Sequence, residues 1–143
     1  MDELIFDLQR FDGVWQIGDD TYATLANAIA AAPSGTETTI TLTGDTTEAR
    51  ANVAAGKNVI IDLQGHTYTV SSTSATTVAR GATVTYQNGT LEASRISNAD
   101  LITGQGTLTF NNLIMPSTAY VSSTAGTVTI NGTSTITVAG GSV

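Results

Sequence analysis

The chain has 143 residues, with 12 acidic and five basic side chains, one His and no Cys, and its formal net charge is −7. Charged residues make up 12% of it, about half of the usual share, whereas Thr alone accounts for 27 residues. The lack of Cys excludes disulfides, a thiol nucleophile and a thiolate metal site. The negative charge argues against nucleic-acid partners, and no apolar run approaches the roughly 18 residues that predict membrane insertion.

Residues 1–20 are predicted to form extended strands that are available for docking. Phe6 and Leu8 alternate with polar neighbours, which is the period of a strand. Asp12-Gly13 is a turn signal, and Val14–Ile17 reads as a second short strand. Six acidic residues against one Arg give this segment a charge of −5, and its acidic start differs from that of a secretory signal.

Residues 21–34 are predicted to form a capping helix. Tyr22, Leu25, Ala26 and Ile29 follow the i, i+3, i+4, i+7 spacing of one apolar helical stripe. The preceding residues 18–21 offer a helix N-cap, so we assign Asp19 and Asp20 to capping rather than to calcium binding. Pro33 and Gly35 end the helix.

Residues 35–143 contain an internal repeat. A glycine, a short alternating strand and a terminating polar residue recur, and aligning Ile40, Ile61, Tyr86, Phe110 and Ile130 gives spacings of 21, 25, 24 and 20 residues. Second strands follow at Thr67–Val70, Leu113–Met115 and Thr135–Val138. The residues predicted to point inward are Ile40, Leu42, Val59, Ile61, Val84, Tyr86, Leu108, Phe110, Val128 and Ile130.

This repeat predicts an all-β fold, a single-stranded β-solenoid of about five rungs with an N-terminal capping helix. Stacked rungs share a core that one rung could not bury alone, and Thr suits the outward positions of a pleated surface. An antiparallel sandwich with hairpins every 8–12 residues is the alternative. The solenoid is favoured because the whole unit recurs, with Gly and Asn at corners that need positive φ.

The sequence resembles the right-handed parallel β-helix, or pectin-lyase-like, class. The resemblance is carried by the helix at Leu25–Ala32, the strand Ile40–Leu42 and the run Ala55–Thr67. It implies a right-handed solenoid whose first rung is covered by the helix. Hydrolases of the class need two carboxylates across a glycosidic bond, but the acidic residues here share no rung position in the alignment.

No enzymatic activity is predicted, and no catalytic, cofactor-binding or metal-binding residue is proposed from the sequence. His66, the one imidazole, follows Gly65 at a corner and is interpreted as a polar corner residue. The family's catalytic residues therefore transfer to no position of this chain.

A second, shorter resemblance involves Ile5–Gly13, whose sequence is IFDLQRFDG. It is similar to the openings of bacterial surface-type repeat proteins and of some tailed-phage head proteins. An N-terminal segment that precedes otherwise different domains would suit a docking strand. A strand that covers the chain's own solenoid is the alternative.

Residues 101–143 contain no charged side chain. Exposed strand edges are normally guarded by charge, Lys or Pro, so either the repeat continues in a longer protein or this end pairs with another copy. We expect a structural protein that self-assembles end to end into filaments or surface layers, outside the cell or at its surface. A phage virion component and a carbohydrate-binding or carbohydrate-active domain are the alternatives, and a capsid or cell-surface partner is compatible with them. The predicted assembly interface consists of Leu4, Phe6, Leu8, Phe11, Val128, Ile130, Ile136 and Val138.

Overall fold

The computed structural model describes residues 13–71, 76–93, 99–115, 119–123 and 126–135, which form a β-solenoid of about three turns with one helix. The helix α1 is Leu25–Ala31. The strands are β1 (Trp15–Ile17), β2 (Asp20–Tyr22), β3 (Glu37–Leu42), β4 (Thr46–Glu48), β5 (Asn58–Asp62), β6 (Thr67–Val70), β7 (Thr76–Val78), β8 (Thr83–Ala93), β9 (Ala99–Gly104), β10 (Thr107–Ile114), β11 (Ala119–Ser123) and β12 (Thr127–Asn131).

The first face of the solenoid is a parallel sheet in the order β3, β5, β8, β10, β12. Ile40 is in register with Ile61, which aligns with Tyr86, then Phe110, then Ile130. The repeat alignment is thus confirmed, and the sandwich alternative is wrong because these repeated strands pair in parallel.

Two further faces complete each turn. The second face joins β4, β6, the last four residues of β8 and the end of β10, because β8 is long enough to pair with β5 first and with β6 afterwards, and Ile114 of β10 pairs with Thr90. The third face is the parallel sheet β7, β9, β11. Within the described residues, three turns carry strands on all three faces, with partial turns before and after them.

The core runs through the centre of the stack. Eight of the ten residues predicted to point inward are at most 4% exposed; they are Ile40, Leu42, Val59, Ile61, Val84, Tyr86, Leu108 and Phe110. Val128 is only partly buried. Ile130 has the predicted register with Phe110, but 44% of it is exposed.

The N-terminal side of the core is closed by a hairpin and by α1. Strand β1 pairs antiparallel with both β2 and β3, and Trp15, Leu25 and Ile29 are at most 3% exposed. The predicted strand at Val14–Ile17 is confirmed as β1, and the predicted capping helix is present in shortened form.

The helix begins later than the sequence predicts. Its N-cap is Thr24, whose Oγ1 accepts a hydrogen bond of 3.1 Å from the Asn27 amide. Residues 20–22 form β2 instead, because Gly18 takes a φ of +57° and allows a tight hairpin turn. The assignment of Asp19 and Asp20 to helix capping is therefore wrong. Among the described residues, no helix has the length and apolar character required to cross a membrane.

The corners of the solenoid use left-handed backbone at recurring positions. Gly56 and Gly81 have φ values of +87° and +85°, and Asn88 and Asn112 have values of +60° and +52°. The prediction of positive φ at corner Gly and Asn residues is confirmed there. Gly106 is used differently, since a Cβ atom on it would lie 2.5 Å from the Ala79 carbonyl oxygen.

Candidate functional site

The last described turn exposes the apolar column that the earlier turns bury. Val59, Val84 and Leu108 are covered, whereas Val128 in the same column is only partly so. Among the described residues, the exposed large hydrophobic side chains are Ile114 on β10, at 51%, and Ile130 on β12, at 44%. Ile114 lies between Thr90 and Thr135 and is flanked by the buried Leu113 and Met115, so it faces outward from the side of the solenoid. Ile130 lies on the last described strand of the first face, β12, which we call the exposed end.

Strand β12 also presents a free edge at the exposed end. It pairs along one side with β10, from Thr107–Thr127 to Asn111–Asn131, and no other described strand pairs with its opposite side. The outward N–H and C=O groups of an edge strand can pair with an added strand. No charged side chain occurs in residues 101–143, so a partner strand approaching the described part of this edge meets no charge.

The predicted interface residues fall into two groups. Val128 and Ile130 lie on β12 at the exposed end. The other six lie outside the described residues and stay predictions; they are Leu4, Phe6, Leu8, Phe11, Ile136 and Val138.

A groove of about 340 Å³ lies along the second face, and the sequence alignment did not reveal it. Its lining includes Thr47, Thr69 and Glu92, which the β4–β6–β8 register places side by side. Asp45 lies in the same groove, so two carboxylates that share no repeat position of the first face meet on the second. Only an alignment of the second strands of each turn would have shown this.

The polar groups of the groove are mostly engaged. The Thr67 amide donates a 2.9 Å hydrogen bond to Asp45 Oδ1, and the Thr69 hydroxyl donates one of 3.1 Å to Glu92 Oε1. His66 Nδ1 lies 3.5 Å from Asp45 Oδ1, with 36% of its side chain exposed. His66 is thus a polar corner residue beside Asp45. In the described part of the chain, no cluster of three or more His, Asp or Glu side chains could hold a metal ion.

Glu48 is a second residue that sequence reasoning missed. Its Oε2 accepts hydrogen bonds from Trp15 Nε1, at 2.9 Å, and from Thr46 Oγ1, at 2.8 Å. Its Oε1 accepts one of 2.6 Å from the Leu25 amide at the start of α1. One carboxylate therefore joins the hairpin, the helix and the second face, which is a structural role.

The buried tyrosines belong to the core. Burial raises the pKa of the Tyr68 phenol strongly, and the nearby Tyr86 and Glu48 add to this effect. Burial alone raises the pKa of Tyr86. Tyr68 packs edge-on against Trp15 with ring centres 5.2 Å apart, and Tyr86 stacks on Phe110 at 6.2 Å. These contacts make both rings packing elements.

Comparisons of the chain with protein-family models, with curated proteins and with solved structures give no match.

Proposed function

We propose that this protein is a non-enzymatic structural protein that assembles end to end through the exposed end of its solenoid. The observation that carries the proposal is Ile130, which continues the core column of Ile61, Tyr86 and Phe110 and yet is 44% exposed. Since 44% of Ile130 is exposed, covering it gains a little under half of the roughly 1.5–3 kcal/mol that complete burial of a side chain of this size provides. The free edge of β12 adds main-chain hydrogen bonds to any strand laid against it.

The occupant that we propose for this edge is the segment Leu4–Phe11 of a second copy. Phe6 and Leu8 alternate with Asp7 and Gln9, and Leu4 has the same parity, so one face of an added strand would be apolar. Phe11 would follow it, and Ile136 and Val138 would extend the receiving surface beyond Ile130. Main-chain hydrogen bonds would join this strand to the free edge of β12, as they do where an extended segment is added to an exposed sheet edge.

Charge favours head-to-tail contacts over contacts between two N-terminal segments. Residues 1–20 carry a charge of −5, so two of these segments repel each other, whereas residues 101–143 carry no charge. A head-to-tail contact repeats without closing, and a series of such contacts produces a filament. In this proposal the filament or layer lies outside the cell or at its surface, with a capsid as the alternative setting.

The finer architecture belongs to the same proposal. Five parallel strands on the first face support a count of about five rungs, of which the first and last are partial. Crossover connections between parallel strands are right-handed in nearly all proteins, which supports a right-handed helix of the pectin-lyase-like class.

Electron microscopy and light scattering of the purified protein test the assembly. We expect fibres or large oligomers from the unmodified chain, and monomers from Ile130→Lys, because the charge would be buried in the contact. Thr77→Lys is the matched control, since Thr77 is exposed on β7 of the third face. Monomeric unmodified protein at high concentration, or equal assembly of both variants, would overturn the proposal.

Carbohydrate binding is the second candidate function, and the groove on the second face is the observation that favours it. Asp45, Glu92 and four Thr side chains surround a space of a size that suits a sugar ring. A glycan array tests it, with Glu92→Gln as the variant and Asp62→Asn, which lies on the first face, as the control. An array without hits removes this candidate and leaves the assembly proposal untouched.

A further inference from the structure

Threonines form a regular array on the outside of the first face. Strands β8, β10 and β12 each begin with the pattern Thr-x-Thr, in which the middle residue points to the core. Parallel register aligns these pairs across the three strands without a shift. The resulting threonine face consists of Thr83, Thr85, Thr107, Thr109, Thr127 and Thr129.

The hydroxyl groups of the threonine face are available to solvent. Thr107, Thr127 and Thr129 are exposed, and the other three are partly exposed. Within the described ranges, none of the six hydroxyls hydrogen bonds to another residue. The hydroxyl of Thr69 on the second face, by contrast, donates to Glu92.

The surroundings of the threonine face carry little charge. The next strand, β5, places Asn58 and Ile60 in line with Thr83 and Thr85. The adjoining column contains Gln87, Asn111 and Asn131 beside the same three strands. The charges in these columns are Glu37 on β3 and Asp62 on the neighbouring strand β5, where Asp62 accepts a hydrogen bond from Gln87; the positions on β8, β10 and β12 themselves are uncharged. The face is therefore polar, uncharged and periodic in two directions.

The spacing of the array is fixed by the sheet. Neighbouring strands lie about 4.8 Å apart, and residues two apart on one strand are separated by roughly 6.6 Å. The first distance is close to the oxygen repeat of hexagonal ice along its a axis, and the second is somewhat shorter than the repeat along its c axis. Because Thr is β-branched, few rotamers are open to its side chain, and the hydroxyl and methyl positions vary little from one Thr to the next.

We propose that the threonine face binds the surface of ice. Water molecules held by the hydroxyls, and ordered around the methyl groups between them, would take positions that join the lattice of an ice crystal. A water molecule that bridges two polar groups is enthalpically almost as good as a direct hydrogen bond. Because the Thr side chains are already restricted, binding orders few further torsions.

The composition of the threonine face fits a lattice of water better than a protein partner. Protein interfaces are centred on aromatic, Met or Arg anchors that fill pockets. Ile60 is the one large apolar side chain in these columns, and it is partly buried. This inference goes beyond the proposed assembly and does not depend on it, because all six Thr residues belong to one chain.

Measurements of thermal hysteresis and of ice-crystal shape in a nanolitre osmometer test the inference. We expect the unmodified protein at millimolar concentration to depress the freezing point below the melting point and to produce faceted crystals. Thr109→Lys places a long charged side chain at the centre of the array and should abolish most of the difference between the melting and freezing points. Thr77→Lys adds the same side chain to the third face and should leave that difference unchanged.

The folded state of each variant is checked by circular dichroism and thermal melting. If Thr109→Lys melts early, Thr129→Lys is the substitute, since Thr129 is exposed at the border of the array and disturbs less packing. Round crystals that grow at the melting point in the presence of the unmodified protein would overturn the inference. So would a folded Thr109→Lys or Thr129→Lys variant with the activity of the unmodified chain.

Discussion

Glu48 is the residue on which three separate segments of the N-terminal turn converge. Its two oxygens accept from Trp15, Thr46 and the Leu25 amide, and the most distant of these donors, Trp15, is 33 residues away in the sequence. Hydrogen bonds to a charged acceptor contribute about 1.5–3 kcal/mol each when partly shielded from water. No local sequence pattern predicts such a residue, because its hydrogen-bond partners come close to it only after the turn has folded.

Glu48→Gln is expected to lower the free energy of unfolding by about 1–3 kcal/mol. The amide has one acceptor oxygen where the carboxylate has two, so either Trp15 Nε1 or the Leu25 amide loses its partner. Urea denaturation measures the change. Glu37→Gln is the control, since Glu37 is exposed on β3, and an equal loss in both variants would contradict the role of Glu48.

Gly106 shows that the repeated glycines serve two different physical needs. At Gly81 the need is a φ of +85°. At Gly106 it is space, because an added Cβ atom would lie 2.6 Å from Val78 Cγ1 and 2.8 Å from the Ala82 carbonyl oxygen. The sequence predicts a glycine-containing corner at both positions but cannot separate these causes, since the crowding comes from the preceding turn.

Gly106→Ala is therefore expected to destabilise the protein by about 1–3 kcal/mol, the usual cost of overpacking. Gly44→Ala is the matched control, because nothing lies within 4 Å of the added Cβ atom there. It should be neutral, or slightly stabilising through the unfolded chain. Differential scanning calorimetry of both variants gives the comparison, and equal melting temperatures would show that the corner at Gly106 can relax.

At the scale of elements, the first-face strands are predictable and the N-terminal closure is only partly so. The strands recur with a glycine before them and alternate strictly, and their register follows from aligning one apolar residue per turn. The helix and β2 share an ambiguous stretch, because Tyr22 has helical spacing to Leu25 and Ile29 by coincidence. The hairpin pairing of Tyr22 with Trp15 decides the outcome, and that tertiary contact overrides the local pattern.

The helix α1 contributes to stability through one face. Leu25, Ala28 and Ile29 are buried, and Asn27 is exposed on the opposite side. Leu25→Ala is expected to cost about 2–5 kcal/mol, because the removed atoms leave a cavity over the first turn. Asn27→Ala, which keeps the amide that Thr24 caps, should change the stability by less than about 0.5 kcal/mol. Chemical denaturation followed by Trp15 fluorescence distinguishes them, and a small effect of Leu25→Ala would mean that α1 does not close the core.

At the scale of the whole molecule, the sequence predicts the solenoid, its first face and part of its second face, where the predicted strand Thr67–Val70 is confirmed as β6, but it does not predict the third face. Each strand of the first face places two apolar residues in a shared core. This requirement recurs in every turn, so the repeat of the first face is visible in the sequence. The other faces vary in strand length, from three residues in β4 to six in β9, and Asp45 and Glu92 meet there only through register. The assembly role remains a prediction. The surface proposed for the contact belongs to the last described turn, where the core column is uncovered.

The stacked core also determines how the whole molecule responds to alkaline pH. Tyr68 and Tyr86 are each 1% exposed in adjacent turns, and burial raises the pKa of both phenols above their ordinary value of 10.0. The folded state therefore holds these protons more tightly than the unfolded chain does. The resulting stability is fully present below pH 10.0, the unfolded value, and is lost progressively as the pH rises from there towards the folded pKa values.

We accordingly expect the melting temperature to fall steeply above pH 10.0 and Tyr86→Phe to reduce that fall, since Phe has no proton to lose. In the described part of the chain the Tyr86 hydroxyl has no hydrogen-bond partner, so at neutral pH the substitution should leave the stability unchanged or raise it. Thermal melts of both proteins from neutral to strongly alkaline pH check the sign. Parallel curves for the two proteins would contradict the prediction. They would mean that Tyr86 titrates alike in the folded and the unfolded chain, in spite of its position between Ile61 and Phe110 in the core column.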